Sequence, residues 1–268
     1  MKIALLQMRV EQANFDKNFE RAEAMAKEAA SRGADLAILP EMFASGFNYG
    51  ENRRALASRN FAAEFLDLAR RSNIFLAGTL PFLESGKDKP SNRMILASNR
   101  GEEIASYDKI HLFGVFRENR HVACGGSIAV KDTPLGRIGF AVCYDLRFPE
   151  LFVQMAIQKA DLILISAAWP HPRMEHIKTL AKARAIECQC FVAAANQAGD
   201  EHFGSNKISY CGSSAIFGPL GETVCECKKD EEDLQIGEVD LSLADAARAK
   251  IPVLSDRRPD LYFSQKNI

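Results

Sequence analysis

No stretch of the chain stays apolar for the ~18–20 residues that a membrane-crossing helix needs. The start, Met1-Lys2-Ile3-Ala4-Leu5-Leu6-Gln7, turns polar too early for a secretory leader, so residues 2–7 are expected as a buried strand. Charge of one sign is also missing: 34 basic residues face 35 acidic ones, a net charge of −1. That balance offers a polyanion little, so nucleic acid is not expected as a partner. Short basic pairs, Arg53-Arg54 and Arg257-Arg258, read as solvated faces. No Cys-x-x-Cys occurs among the seven cysteines, and an odd number in 268 residues speaks against a disulfide framework. Two Cys-x-Cys pairs remain, Cys188/Cys190 and Cys225/Cys227. On a helix such a pair points to different sides, whereas on a strand it shares a face, so only Cys225 and Cys227 suit a metal geometrically. Small apolar packing groups in a reducing cytoplasm are the preferred reading, and no metal is expected. No low-complexity linker occurs, which favours a single domain over residues 1–268.

What is present is 47 % hydrophobic residues, ample for a core, in a pattern that alternates strands and helices. Residues 2–7 and 35–39 are short apolar runs. Between them Phe19, Ala22, Met25, Ala26, Ala29 and Ala30 recur at helical spacing, and Gly33 stops the helix. The same grammar returns as a strand at 137–143, a helix at 149–159 opened by Pro149, and a strand at 161–167. Ala34-Asp35-Leu36 and Ala160-Asp161-Leu162 take matching places, a two-fold echo within one domain. Further strands are expected near 74–79, 93–98, 103–107, 190–195, 213–217 and 235–239, with helices near 59–72 and 174–188. Turns are expected at 84–92 and 197–212. Apolar strands mixed with helices imply α/β sheets covered by helices.

Three strand ends carry reactive groups: Glu41, Lys109 and Cys143. Cys143 stands between a strand and a helix, where backbone N–H groups and the helix dipole favour thiolate and the N–H of Tyr144 offers itself to an oxyanion. Packing is the ordinary fate of a buried cysteine, so position alone does not decide. Glu41 closing an apolar strand is costly to bury without a task, and its raised pKa suits a general base. A capping or salt-bridged glutamate competes with that reading. Lys109 suits an oxyanion stabiliser, against an ordinary surface lysine.

Together the three stretches carry more. Leu39-Pro40-Glu41-Met42-Phe43, Tyr107-Asp108-Lys109-Ile110-His111-Leu112-Phe113 and Cys143-Tyr144-Asp145-Leu146-Arg147-Phe148-Pro149-Glu150 resemble, in order and spacing, the three signatures of the nitrilase (carbon–nitrogen hydrolase) superfamily. The likeness extends to Arg184-Ala185-x-Glu187-x-Gln189, Ala195-Asn196-Gln197-x-Gly199 and Gly212-x-Ser214-x-x-x-x-Pro219-x-Gly221-Glu222. It implies a four-layer α-β-β-α sandwich, homodimers or larger assemblies, and no metal or organic cofactor. It implies a Glu41–Lys109–Cys143 triad acting through a thioester, with Glu118 as the second glutamate that positions substrate; an exposed loop glutamate is the alternative there.

True nitrilases usually place Trp and Glu after the nucleophile. Tyr144-Asp145-Leu146-Arg147-Phe148-Pro149 resembles the amidase branch instead, as do Pro40-Glu41-Met42-Phe43-Ala44-Ser45-Gly46-Phe47 and Ala168-Trp169-Pro170. The resemblance is strongest to bacterial ω-amidases acting on short dicarboxylate or 2-oxo acid monoamides. Deaminated-glutathione amidases, N-carbamoyl amidohydrolases and a catalytically silent binding member share the pattern. Asp145 reads as a supporting partner rather than a base. Arg147 suits a substrate carboxylate, against a salt bridge such as one to Glu150. Tyr144 and Trp169 are expected at the substrate pocket, Trp169 as an apolar wall. His111, near Lys109, and His176 receive no catalytic role.

Overall fold

The structure is a computed structural model and describes residues 1–203 and 206–262. Its strands in chain order are β1 (Lys2–Gln7), β2 (Leu36–Ile38), β3 (Phe75–Phe82), β4 (Ser91–Ala97), β5 (Glu103–Asp108), β6 (Val130–Thr133) and β7 (Gly136–Val142). Then follow β8 (Leu162–Ala167), β9 (Phe191–Asn196), β10 (Ala198–Phe203), β11 (Asn206–Cys211), β12 (Ala215–Phe217), β13 (Thr223–Glu226) and β14 (Asp233–Glu238). The helices are α1 (Phe15–Ser31), α2 (Tyr49–Ala55), α3 (Phe61–Ser72), α4 (Glu118–His121), α5 (Pro149–Ile157), α6 (Met174–Cys188), α7 (Ser242–Lys250) and α8 (Pro259–Tyr262).

Two six-stranded sheets run β14-β1-β2-β3-β4-β5 and β13-β12-β9-β8-β7-β6. Each has three parallel strands at its centre, β1-β2-β3 and β7-β8-β9, flanked by antiparallel ones. Strand side chains alternate faces, and here both faces are buried. Ile3 and Leu5 of β1 join Phe140 of β7 and Leu164 of β8 in a core between the sheets. Ala4 and Leu6 point the other way, against Phe19 and Ala22 of α1 and Phe65 of α3. On the second sheet Ile163 and Ile165 of β8 pack outward on Phe152 of α5 and Ala181 of α6. The result is the four-layer α-β-β-α sandwich that the resemblance implies.

The two-fold echo has a hydrogen-bond basis. Asp35 N–H donates to Lys2 O at 2.8 Å and Asp161 N–H to Arg137 O at 2.8 Å. Phe75 N–H then donates to Asp35 O and Phe191 N–H to Asp161 O. Each aspartate is thus the hinge of a β-α-β unit, holding three parallel strands in register. Cys225 and Cys227 border the core between the sheets. Among the described residues no helix is long and apolar enough to cross a membrane.

The expected strands and helices are found within a few residues of their expected ends. One expectation is corrected: residues 197–212 are not a turn region but the antiparallel hairpin β10–β11, pairing Ala198 with Cys211. Its strands mix Gly, Asp, Glu, Lys and Ser, so no apolar run marks them. Phe140 is wholly buried between the sheets. Phe140→Ala is expected to cost about 3–5 kcal/mol of folding free energy, read from urea unfolding.

Candidate active site

The candidate residues converge where strands of both sheets end. Glu41 follows β2, Lys109 follows β5, and Cys143 follows β7. The sheets are tied together at this point: Glu41 N–H donates to Ala167 O at 3.2 Å, and Ser166 Oγ donates to Leu39 O at 2.8 Å. In open α/β sheets such carboxyl ends of parallel strands are the usual ligand position.

Lys109 lies at the centre. Its Nζ donates to Glu41 Oε1 at 2.8 Å and to both oxygens of Glu118, at 3.1 and 2.9 Å. Glu41, Lys109 and Glu118 are each no more than 2 % exposed, which rules out a surface lysine and a loop glutamate. Glu118 opens the short helix α4, and its Oε2 also accepts from Phe113 N–H at 2.6 Å. Burial alone would drive the ammonium towards neutrality, but the two carboxylates outweigh it and hold the Lys109 pKa well above its ordinary value. Burial is also the main cause that raises the Glu41 pKa; Lys109 opposes it and the Glu118 charge adds to it. Asn92, on β4, donates to the same Glu41 Oε1 at 2.9 Å. Lys109 and Asn92 thus share one oxygen of Glu41 and leave Oε2 outside that pair of bonds.

Cys143 begins a 3-10 turn, Cys143–Arg147, with φ of 45°, a left-handed conformation that non-glycine residues rarely adopt. Its thiol lies beside the Glu41 carboxylate, each acting on the other's titration. Here the expectation of a resting thiolate is corrected. Burial first, then the Glu41 charge, push the thiol pKa well above its ordinary value, with Lys109 and a backbone bond to Ala168 opposing. The helix that was to supply the dipole, α5, starts only at Pro149. At rest Cys143 is a thiol beside a carboxylate.

Asp145 pins the turn. Its Oδ1 accepts from His111 N–H at 3.0 Å and meets His111 Nδ1 at 2.8 Å; its Oδ2 accepts from Tyr107 O–H at 2.8 Å and Val142 N–H at 2.9 Å. With those contacts it is a supporting residue, as expected. His111 serves Asp145 and stacks on Phe148 at 3.7 Å rather than touching Lys109. Tyr144 is edge-on to Phe113 and Phe148, with centroids 5.0 and 5.2 Å apart. Arg147 makes no salt bridge to Glu150. Its guanidinium lies 4.5 Å from the ring centroid of buried Trp169, and Nη2 is 3.2 Å from His176 Nδ1. No carboxylate pairs with Arg147 among the described residues. Trp169 is set by Asn196, whose Oδ1 accepts its backbone N–H at 2.7 Å and whose Nδ2 donates to Gly212 O at 2.8 Å.

Sequence reasoning missed several neighbours. Asn92 is one. Tyr49 is another: burial raises its phenol pKa, the charges of Glu118, Lys109, Glu41 and Cys143 all act on it, and its ring stacks on His121 at 5.1 Å. A third group is Met42, Phe47, Ala168 and Tyr210, a small apolar cluster beside the site. Behind it lies Glu201, a buried carboxyl accepting Tyr210 O–H at 2.6 Å. The only signal for these was a polar or aromatic residue within an otherwise ordinary strand or loop.

With this geometry in view, comparisons with known proteins identify the family. A profile described as carbon-nitrogen hydrolase matches residues 2–249. The chain belongs to that family. It is 35 % identical over 264 residues to a deaminated glutathione amidase of Bos taurus, across 92 % of this chain and 79 % of that one. It is 32 % identical to a 2-oxoglutaramate amidase of Bacillus subtilis, across 97 % and 98 % of the two chains. A crystal structure of a CN-hydrolase superfamily protein from Xanthomonas campestris, bearing an arsenic adduct in its active site, superposes with TM-score 0.87 at 30 % identity. That match covers 96 % of this chain and 97 % of the other. A mutant amidase from Nesterenkonia with the acetamide moiety of fluoroacetamide on its active-site cysteine gives TM-score 0.84 at 27 % identity, over 97 % and 95 %. This carbon–nitrogen hydrolase is therefore an enzyme of the nitrilase superfamily.

One site-linked group titrates in a testable range. Burial pushes the Glu201 carboxyl up to about 7 from 4.5, while Tyr210, Phe47 N–H, Gln197 and Gln12 hold it down. A carboxyl raised on folding favours the folded state below pH 4.5 and loses that contribution as pH rises through about 7. Glu201→Gln should therefore gain stability relative to the parent between pH 5 and pH 8, by up to about 3 kcal/mol. Thermal unfolding at the two pH values checks this; a gap that does not widen contradicts it.

Proposed function

We propose that this carbon–nitrogen hydrolase is an ω-amidase, hydrolysing short dicarboxylate or 2-oxo acid monoamides to the carboxylate and ammonia. The observation that carries the reading is the juxtaposition of the buried Glu41–Lys109–Glu118 cluster and the Cys143 thiol with an arginine, Arg147, that no carboxylate among the described residues neutralises. A guanidinium four residues beyond the nucleophile in the same turn suits the distal carboxylate of a short acid amide. The Bacillus subtilis relative, named for 2-oxoglutaramate and matched over nearly its full length, supports the same class.

The chemistry follows from the geometry. Glu41 takes the Cys143 proton as the sulfur attacks the amide carbon. Charge leaves the carboxylate and reappears on the carbonyl oxygen, where Lys109 and the Tyr144 N–H receive it. Protonating Glu41 weakens its hold on Lys109, so the ammonium turns to the oxyanion at the moment it forms. Collapse breaks the C–N bond, and the proton on Glu41 goes to the departing nitrogen, which leaves as ammonia. Water then gives a proton to Glu41 and attacks the thioester; Cys143 sulfur leaves and recovers that proton. Glu118 holds Lys109 throughout. Trp169 and Tyr144 supply walls. A deaminated-glutathione amidase uses the same groups, and the Bos taurus relative keeps that second reading in the panel below.

Ammonia release from 2-oxoglutaramate, succinamate, deaminated glutathione, an N-carbamoyl amino acid, propionamide and a nitrile is the direct test. Preference for the first two is expected; preference for deaminated glutathione would replace the substrate class. Cys143→Ala should abolish turnover without changing the circular dichroism, and substantial residual activity would sink the mechanism. Glu41→Gln and Lys109→Ala should each lower kcat by about 100-fold or more. Arg147→Lys should raise KM about 10-fold for the acidic amides and leave propionamide nearly unaffected.

The pH–rate profile follows from the same charges. Glu41 must be ionised to act, and its pKa is raised above 4.5, so kcat/KM should fall on the acid side while pH is still above that value. Lys109 stays protonated and Cys143 stays a thiol well into the alkaline range, so neither introduces a limb near neutrality. A profile governed by thiol ionisation near pH 9 would contradict this arrangement.

A further inference from the structure

The hairpin β10–β11 carries a carboxyl that the mechanism does not use. Glu201 is 2 % exposed, although it sits on a two-stranded hairpin with polar neighbours. Burying a carboxyl without a charged partner is costly, so its polar contacts must offset that cost. One oxygen, Oε2, accepts the Tyr210 hydroxyl at 2.6 Å, a diagonal pair across the hairpin in which Glu201 stands opposite Ile208. The other oxygen, Oε1, lies against Gly46: a Cβ built there would fall 2.3 Å from it. Gly46 has φ of +63°, so glycine is needed at that place both for space and for backbone conformation. Oε1 takes no hydrogen bond from the described residues, and the Phe47 backbone lies near enough to favour the ionised carboxyl.

Both contacts lead to the catalytic centre. Gly46 and Phe47 belong to the loop that starts at Glu41. Tyr210 packs with Met42, Phe47 and Ala168. Met42 adjoins Glu41, and the Ala168 backbone lies near enough to the Cys143 thiol to lower its pKa. Tyr210 also forms a bridge with Pro170, and Cys211 N–H donates to Trp169 O at 3.2 Å, next to the ring that stacks on Arg147. The Tyr210 ring therefore lies between the Glu41 loop and the Trp169–Pro170 segment, and Glu201 is what fixes its hydroxyl end.

Resting on the amidase reading above, we propose that Glu201 is a positioning residue that clamps Tyr210 as the apolar wall of the acyl pocket and so sets which acyl chains fit. Tyr210 meets the methylene stem of the acyl group, while Arg147 takes its far carboxylate. Glu201 touches no substrate and acts through Tyr210 and the Gly46–Phe47 backbone.

The test compares the parent enzyme with Glu201→Ala, Glu201→Gln, Tyr210→Phe and the double variant Glu201→Ala/Tyr210→Phe, on succinamate and propionamide. Glu201→Ala and Tyr210→Phe should each raise KM for succinamate about 10-fold, more than for propionamide, with kcat within about threefold of the parent. Glu201→Gln should restore KM to within about threefold, because its amide oxygen still accepts the Tyr210 hydroxyl. The double variant should lose no more than either single one, since both remove one clamp. Equal losses of kcat on both amides, additive losses in the double variant, or no rescue by glutamine would each overturn the proposal. Should Glu201→Ala fail to fold, Tyr210→Phe and Glu201→Gln decide: an unchanged succinamate KM in Tyr210→Phe overturns it. A parent enzyme inert towards every amide would instead overturn the amidase reading, and the acyl pocket with it.

Discussion

An ammonium ion buried between two carboxylates governs this structure. Lys109, Glu41 and Glu118 lie in a place where a lone charge is forbidden, so each is tolerable only because the others are there. Removing one partner of such a group leaves a bare buried charge, a loss of about 3–5 kcal/mol in comparable cases. The group also carries one more negative charge than positive. Burial first and the Glu118 charge after it raise the Glu41 pKa, while the two carboxylates hold Lys109 firmly protonated. A base of this kind is produced by the fold rather than by any one neighbour. Two sheets closing face to face supply the dry environment, and two strand ends and the start of α4 supply three ions from three separate segments.

Holding those ions in place takes a layer of hydrogen-bonding side chains that satisfy backbone donors or acceptors which would otherwise be orphaned. Asp145 receives four donors and joins the Cys143 turn to the Lys109 segment. Gln7 joins the two sheets: Nε2 donates to Lys228 O at 2.6 Å and Glu231 O at 2.8 Å, and Oε1 accepts from Ser214 N–H and Oγ at 2.9 Å. Arg184, in the motif shared with the family, donates to Leu146 O at 3.1 Å and so braces the same turn from α6. Gln189 donates to Ala247 O and Ile251 O and ties down α7. The later motifs are thus structural in different ways: Arg184 braces the turn of Cys143, a strained residue with φ of 45°, while Gln189, Asn196 and Ser214 fix α7, the Trp169 backbone and Gln7.

This division explains what could be read in advance. Strands β1, β2, β7, β8 and β9 are buried on both faces, so their apolar runs announce them, and the residues just past their ends announce the site. Glu41 and Cys143 were legible for that reason, Lys109 as the residue following the half-buried strand β5, and Asp35 and Asp161 revealed the paired β-α-β units. The hairpin β10–β11 was not legible because its pattern is polar, and its one buried carboxyl looks like any other glutamate in sequence. Asn92 and Tyr49 were invisible for a related cause: their role depends on which strand or loop lies opposite, a long-range fact with no local signature. The thiol state of Cys143 was misjudged from position as well. A strand-to-helix junction suggested a dipole, but the residue occupies a 3-10 turn and the charge that acts on it most is the Glu41 carboxylate.

That misjudgement bears on how the site works. A resting thiolate would place a second anion beside Glu41, in a cluster already carrying a net negative charge, with one lysine to offset both. The structure avoids this by keeping the proton on sulfur until substrate is present. Transfer to Glu41 then moves the charge without adding to it: carboxylate becomes acid, thiol becomes thioether-like sulfur, and the negative charge settles on the former carbonyl oxygen. The total in the cavity is the same before and after, so the protein need not solvate a new ion at the barrier. What changes is only the point at which Lys109 finds its strongest partner, and a group prepositioned for that change costs no reorganisation when the oxyanion forms.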